Sequence, residues 1–226
     1  TVGENTFAWT VTNGPCANPL TVDQVTILLY DGNNATPDAG ADQDLCETTT
    51  TVLQGSAVIF PAVGTWEVDQ GTGTVTDPND PNSTVTGMGV GVNEFSWIVT
   101  NGPCAAGSGN DEVTVSIYDA DAPVANAGQD ASVCGAASTV NLNANAPTGP
   151  ATGLWSVISG QATLSDATDP QAVASGLSVG ETVLEWTIDN GPCGTSSDQV
   201  SILVYDDNVR VVGDFTVAYP CAEIDE

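Results

Sequence analysis

Two residue types in this chain carry chemistry, cysteine and aspartate. The six cysteines are Cys16, Cys46, Cys104, Cys134, Cys193 and Cys221, and no two of them form a Cys-x-x-Cys pair. That spacing argues against a zinc or redox site and leaves disulfides as the natural use of the thiols. Twenty Asp and nine Glu stand against a single basic residue, Arg210, and no histidine, for a formal net charge of -28. The chain therefore has no imidazole base, no Schiff-base or P-loop lysine and no lysine for a Lys–Asn crosslink. One cation cannot hold a nucleic acid, and an anionic membrane surface would repel the chain. Asp in excess over Glu suits turns and caps, and clustered carboxylates suit hard cations, above all Ca²⁺. No carboxylate pair stands out as a glycosidase dyad, so no enzymatic activity is expected.

The chemistry-bearing residues recur with a period. Asn-Gly-Pro-Cys occurs at 13–16, 101–104 and 190–193, so the copies are 88 and 89 residues apart. Each is preceded by a segment ending in Trp: Val2 to Trp9, Val90 to Trp97 and Val179 to Trp186. Each is followed by an alternating run closing on Tyr-Asp, at 30–31, 118–119 and 205–206. Ala39-Gly40-Ala41-Asp42 to Cys46 matches Ala127-Gly128-Gln129-Asp130 to Cys134, and Gly64-Thr65-Trp66 matches Gly153-Leu154-Trp155. The chain thus reads as the end of one repeat (1–31), two whole repeats (32–119 and 120–206) and the first strand of another (207–226). Residue 1 lies inside a patterned segment, so the chain reads as an excerpt of a longer one.

A repeat of about 88 residues exceeds solenoid periods and matches one small sandwich domain. Apolar residues alternate with period two, turn clusters intervene every 8–12 residues or so, and helical periodicity is absent. A hydrophobic content of 41% argues against disorder despite the charge. No apolar run reaches the roughly 18 residues of a membrane span. In the second full repeat the strands are expected at 130–134, 138–145, 153–159, 161–165, 171–175, 181–189 and 198–205. Trp155 and Trp186, like Trp66 and Trp97, are expected to pack together in the core. The Asn-Gly-Pro turn lies in the last hairpin, where Asn tolerates left-handed backbone and Gly supplies positive φ.

The blocks Ala127–Cys134, Gly153–Val157, Val179–Trp186 and Asn190–Cys193 resemble the polycystic-kidney-disease-like (PKD-like) and related immunoglobulin-like repeats of large Bacteroidota surface proteins. The resemblance covers nearly the whole chain. It implies an all-β array of tandem sandwich domains arranged end to end. It also implies a place outside the cell, on giant adhesins such as the mobile gliding-motility adhesin exported by the type IX route.

Three cysteine pairings present themselves. The first is sequential (16–46, 104–134, 193–221). The second lies within each repeat (46–104, 134–193). The third runs from the first strand of one repeat to the last hairpin of the next (46–193). In an immunoglobulin topology the first strand's end and the last hairpin's tip lie about 25–30 Å apart, while bridged Cα atoms lie within about 7 Å. The third pairing, a staple across each junction, fits best.

Acidic residues gather where repeats meet: Asp31, Asp38, Asp42 and Asp44, then Asp119, Asp121 and Asp130, then Asp206 and Asp207. They are the candidate Ca²⁺ ligands, and turn formation and solubility are the plainer use of the same residues. Asp77 and Asp80 form a further pair, and Asn34 and Asn82 begin N-glycosylation patterns that mean little in a bacterial protein. The expected function is a non-enzymatic extracellular stalk of a bacterial surface adhesin, serving attachment or gliding. Its partners would be neighbouring repeats and a surface polysaccharide or protein. A filament subunit assembled by strand complementation, and an accessory module of a secreted polysaccharide-degrading enzyme, are the alternatives.

Overall fold

The structure, a computed structural model, describes residues 1–12, 14–15, 21–33, 36–135 and 138–206. Cys16, Cys221, Asp207, Asn34 and the strand expected in 207–226 lie outside them. The chain forms two compact units, one of Thr1–Asp44 with Thr48–Ile117, the other of Leu45–Glu47 with the chain from Tyr118 onward. Among the described residues no helix is long and apolar enough to cross a membrane.

The second unit shows most fully how the sequence builds the fold. Its strands are β10 (Ala131–Cys134), β11 (Val140–Asn141), β12 (Thr152–Ser159), β13 (Thr163–Leu164), β14 (Val173–Ser175), β15 (Gly180–Asp189) and β16 (Thr195–Tyr205). They form one sheet in the order β10-β16-β15-β12 and a second in the order β11-β14-β13. β10 runs parallel to β16, whereas β15–β16 and β12–β15 are antiparallel. This is the immunoglobulin arrangement, in which the two sheets bury their alternating apolar faces against each other. All seven expected strands are present, but the ladder of β11 covers only two residues of the expected 138–145. In that stretch Leu142 and Ala144 are buried, and their amides donate to the carbonyls of Ala172 and Pro170. The alternation therefore marked a buried face correctly while overstating the length of regular pairing.

The same plan occurs earlier in the chain with β3 (Gln43–Cys46), β4 (Thr51–Val52), β5 (Val63–Gln70), β6 (Thr74–Val75), β7 (Thr84–Thr86), β8 (Gly91–Thr100) and β9 (Gly109–Tyr118), all in the first unit save the ends of β3 and β9. Their orders are β3-β9-β8-β5 and β4-β7-β6. The first unit also contains a hairpin, β1 (Gly3–Val11) with β2 (Thr21–Leu29), whose register is antiparallel throughout.

The paired tryptophans are core residues. Trp66 opposes Trp97 across β5–β8, and Trp155 opposes Trp186 across β12–β15. Their ring centroids lie 4.9 and 5.1 Å apart in tilted geometry. All four are buried, and each indole N–H donates to a loop carbonyl: Asp80, Ser56, Asp169 and Asn145 respectively. The glycine two residues before the first Trp of each pair admits the second indole. A Cβ on Gly64 would lie 2.2 Å from Trp97, and one on Gly153 would lie 2.3 Å from Trp186.

Candidate functional site

The recurring Asn-Gly-Pro-Cys tip is where each unit does something its core does not require. In the second unit, Asn190 ends the rise of β15 and Gly191–Cys193 make one turn of 3-10 helix before β16. The Asn190 side-chain amide donates to the backbone carbonyl of Asp119 at 2.8 Å. Gly191, at φ 52°, leaves room for the Tyr118 ring, since a Cβ there would lie 2.6 Å from Tyr118 Cζ. The tip in the first unit is built alike. Asn101 donates to the Asp31 carbonyl at 2.8 Å, and a Cβ on Gly102 would lie 2.4 Å from Tyr30 Cζ. The Tyr-Asp that closes one repeat is thus gripped by the Asn-Gly of the next.

This corrects the expected role of Asn. Asn190 has φ -100°, and among the described residues only Glu47 is a non-glycine with positive φ. Asn serves through its side chain, whose amide satisfies a backbone carbonyl that a plain hairpin turn would leave to water. The sequence signal was available in the co-occurrence of Tyr-Asp and Asn-Gly-Pro-Cys in every repeat, but two separate motifs do not show that they touch.

Cys193, in the same tip, is disulfide-bonded to Cys46, with 5.1 Å between the Cα atoms. This is the pairing that the strand geometry favoured. Cys134 is also disulfide-bonded, and Cys104 is a free, partly buried thiol. Within a repeat the two cysteine positions are far apart. Cys134 lies opposite Tyr205, ten residues along β16 from Thr195, or about 33 Å of strand.

Glu47 follows Cys46 and adopts φ 55°, a left-handed conformation that costs a non-glycine residue about 1–2 kcal/mol. Its amide donates to the Tyr118 carbonyl at 2.9 Å, as the amide of Gly135 does to Tyr205 in the second repeat. In this position the Glu47 carboxylate meets those of Asp119 and Asp121, with one oxygen of each within 4.8 Å of the others. Glu47 was not among the expected ligands, because its neighbourhood depends on a strand end and a linker 72 residues away.

The other expected ligands are dispersed. Asp31, Asp38 and Asp119 accept hydrogen bonds from the amides two residues on, at Asn33, Gly40 and Asp121. Asp42 accepts from the Thr114 amide and Asp130 from the Ser201 amide, tying the first strand to the last at the same place in both repeats. Asp44 and Asp206 are exposed. Asp77 and Asp80 close turns onto the amides of Asn79 and Asn82. Many aspartates thus have the turn-forming use. Among the described residues, Glu47, Asp119 and Asp121 are the carboxylates brought together.

No family model matches the chain, and no curated protein matches it. Solved structures similar to parts of it include PKD domains and immunoglobulin domains. The PKD domain of the KIAA 1837 protein is 22% identical over 39% of this chain and 92% of its own, with a TM-score of 0.33. The PKD domain of human KIAA0319 is 21% identical over 40% of this chain and 87% of its own, with a TM-score of 0.33. Immunoglobulin domains 1–4 of Sidekick-1 are 12% identical over 80% of this chain and 54% of theirs, with a TM-score of 0.39.

Proposed function

We propose that this chain is a load-bearing, non-enzymatic repeat region of an extracellular surface protein, a spacer that resists being pulled out. The observation that carries this reading is the Cys46–Cys193 bond, which encloses most of both repeats. Tension applied to the two ends of the chain would pass through the sulfurs, and the residues between 46 and 193 would be shielded from it. A disulfide of this kind persists in oxidising surroundings, outside the cytosol. The repeated Asn and Gly grip on Tyr-Asp would serve the same end by fixing each sandwich to the chain that enters it. The four buried core tryptophans, Trp66, Trp97, Trp155 and Trp186, are committed to packing and so do not serve as sugar platforms. Attachment of a bacterial cell to a surface, or gliding over it, is the use such a spacer serves best.

Calcium belongs to the same proposal. Glu47, Asp119 and Asp121 offer three hard oxygen ligands, and backbone carbonyls and water would complete the six to eight that Ca²⁺ takes. The donor set fits that ion better than zinc, which prefers nitrogen and sulfur. A bound cation would relieve the mutual repulsion of these carboxylates beside the staple.

Pulling single molecules by their ends tests the spacer. The oxidised chain should yield only the length outside the 147-residue loop, and reductant should release about 500 Å more. Equal extension in both states would overturn the reading.

A further inference from the structure

The hairpin β1–β2 exposes the face that its counterparts bury. Trp9 is 73% exposed where Trp97 and Trp186 are 0%, and Phe7 is 57% exposed where Phe95 and Leu184 are 0%. On β2, Val25, Ile27 and Leu29 are likewise exposed where Val113, Val115 and Ile117 are buried. Among the described residues β2 pairs only with β1, so its other edge is open. In both complete repeats that edge of the last strand is taken by the first strand, which ends in a cysteine.

The open edge points at a thiol. In the second repeat Cys134 pairs opposite Tyr205, and the next amide, Gly135, binds the Tyr205 carbonyl. Cys46 and Glu47 stand in the same relation to Tyr118, since the Glu47 amide binds the Tyr118 carbonyl. Tyr118 in turn packs on Gly191, and Cys46 reaches Cys193. Tyr30 packs on Gly102 in the same manner, two residues before the free Cys104. A first strand added along β2 would therefore place its terminal cysteine opposite Tyr30, related to Cys104 as Cys46 is to Cys193.

We propose that the open face and edge of β1–β2 and the thiol of Cys104 form one docking site. Its occupant is a polypeptide segment with the chemistry of residues 32–88, entering β1 directly and bonded to Cys104 through the cysteine of its first strand. The inference rests on the serial-staple reading above and names the partner of the next staple. Cys104 lies inside the 46–193 loop and its partner outside it, so the two staples overlap and no repeat can be drawn out by itself. The oxidant is a low-molecular-weight disulfide such as oxidised glutathione. The thiolate of Cys104 displaces one glutathione thiolate to give a mixed disulfide. The incoming thiolate then displaces the second, so two protein thiols lose two electrons and two protons and one glutathione disulfide is reduced.

The test is the full chain with a second copy of residues 32–88 fused ahead of Thr1, that copy marked by Asp44→Glu so that its cysteine peptide is distinct by mass. Both chains are equilibrated in glutathione buffer, alkylated and mapped. Cys104 should be alkylated in the original chain. In the extended chain its alkylation should fall by about tenfold or more, with Cys104 recovered linked to the marked peptide. The Cys46→Ser change in the added copy alone should restore alkylation. Trp9 emission should shift to the blue in both extended chains. An alkylatable Cys104 beside an intact Cys46–Cys193 bond would overturn the proposal, as would an unshifted Trp9. So would a Cys104-linked dimer of the original chain, which would make a second copy the occupant. The spacer reading fails separately, in the pulling experiment, which needs only Cys46–Cys193.

Discussion

Asn190 holds the backbone carbonyl of Asp119 with its side-chain amide, and Asn101 holds that of Asp31 in the same way at the same distance. Replacing Asn190 with Ala leaves that partly buried carbonyl without its partner, a change worth about 0.5–1.5 kcal/mol. Asn190→Asp should be worse at neutral pH, because a carboxylate would then face a carbonyl oxygen. Thermal unfolding of the three chains should rank native, Ala, Asp in falling midpoint.

Gly191 is constrained twice, by φ 52° and by the ring of Tyr118. Gly191→Ala should destabilise the chain by about 1–3 kcal/mol. Tyr118→Ala in the same chain removes the clash but not the backbone strain. A double-mutant cycle should therefore show the two changes costing less together than their sum.

The Cys46–Cys193 bond closes a loop of 147 residues. On chain entropy alone, the double variant Cys46→Ser, Cys193→Ser should lose about 5 kcal/mol. Denaturant unfolding of the oxidised native chain, the reduced native chain and the variant measures it. The last two should coincide unless reduction of Cys134 adds its own loss.

Ca²⁺ at about 10 mM should stabilise the chain by about 1.4 kcal/mol if it binds at the roughly millimolar level usual for extracellular modules. That is a rise of roughly 5 °C in the midpoint, reversed by chelator. Glu47→Gln and Asp121→Asn should each abolish the rise. Each should also raise the metal-free midpoint slightly, by removing one of three crowded negative charges.

Asp166 accepts hydrogen bonds from the amide and the hydroxyl of Thr168, both at 2.8 Å. The backbone bond first, and then the side-chain bond, hold its pKa below the ordinary 3.8. A pKa lower in the folded state means that the ionised carboxylate contributes stability above the unfolded value. That contribution is lost as pH falls through the folded one. Asp166→Asn should therefore lower the midpoint at pH 7 by a small amount, and the gap should close below 3.8.

Much was legible in the sequence because it is written locally or repeated. Period-two alternation marks the strands, since successive side chains point to opposite faces. The same alternation marks Trp66, Trp97, Trp155 and Trp186 as core, since each lies inside an alternating strand. The 88-residue period sets the sandwich size. Strand length, taken with an immunoglobulin topology and end-to-end stacking, favoured Cys46 for Cys193, because a pairing within one repeat would have to span about 25–30 Å with a bond whose Cα atoms lie within about 7 Å.

Tertiary structure decided what depends on residues far apart in the chain. Composition could not say that Asn190 faces Asp119, that Tyr118 lies on Gly191, or that Glu47 rather than Asp44 meets Asp119 and Asp121. Each of these turns on a side chain's direction at a strand end, and one residue of register reverses that direction. Nor could it separate the aspartates that close turns from those that gather, since both uses draw on the same residue in the same loops. The sequence alone determined that this chain repeats a disulfide-bearing acidic sandwich. Only the fold decided which residues of one repeat grip the next, because that grip is made by atoms some seventy residues apart.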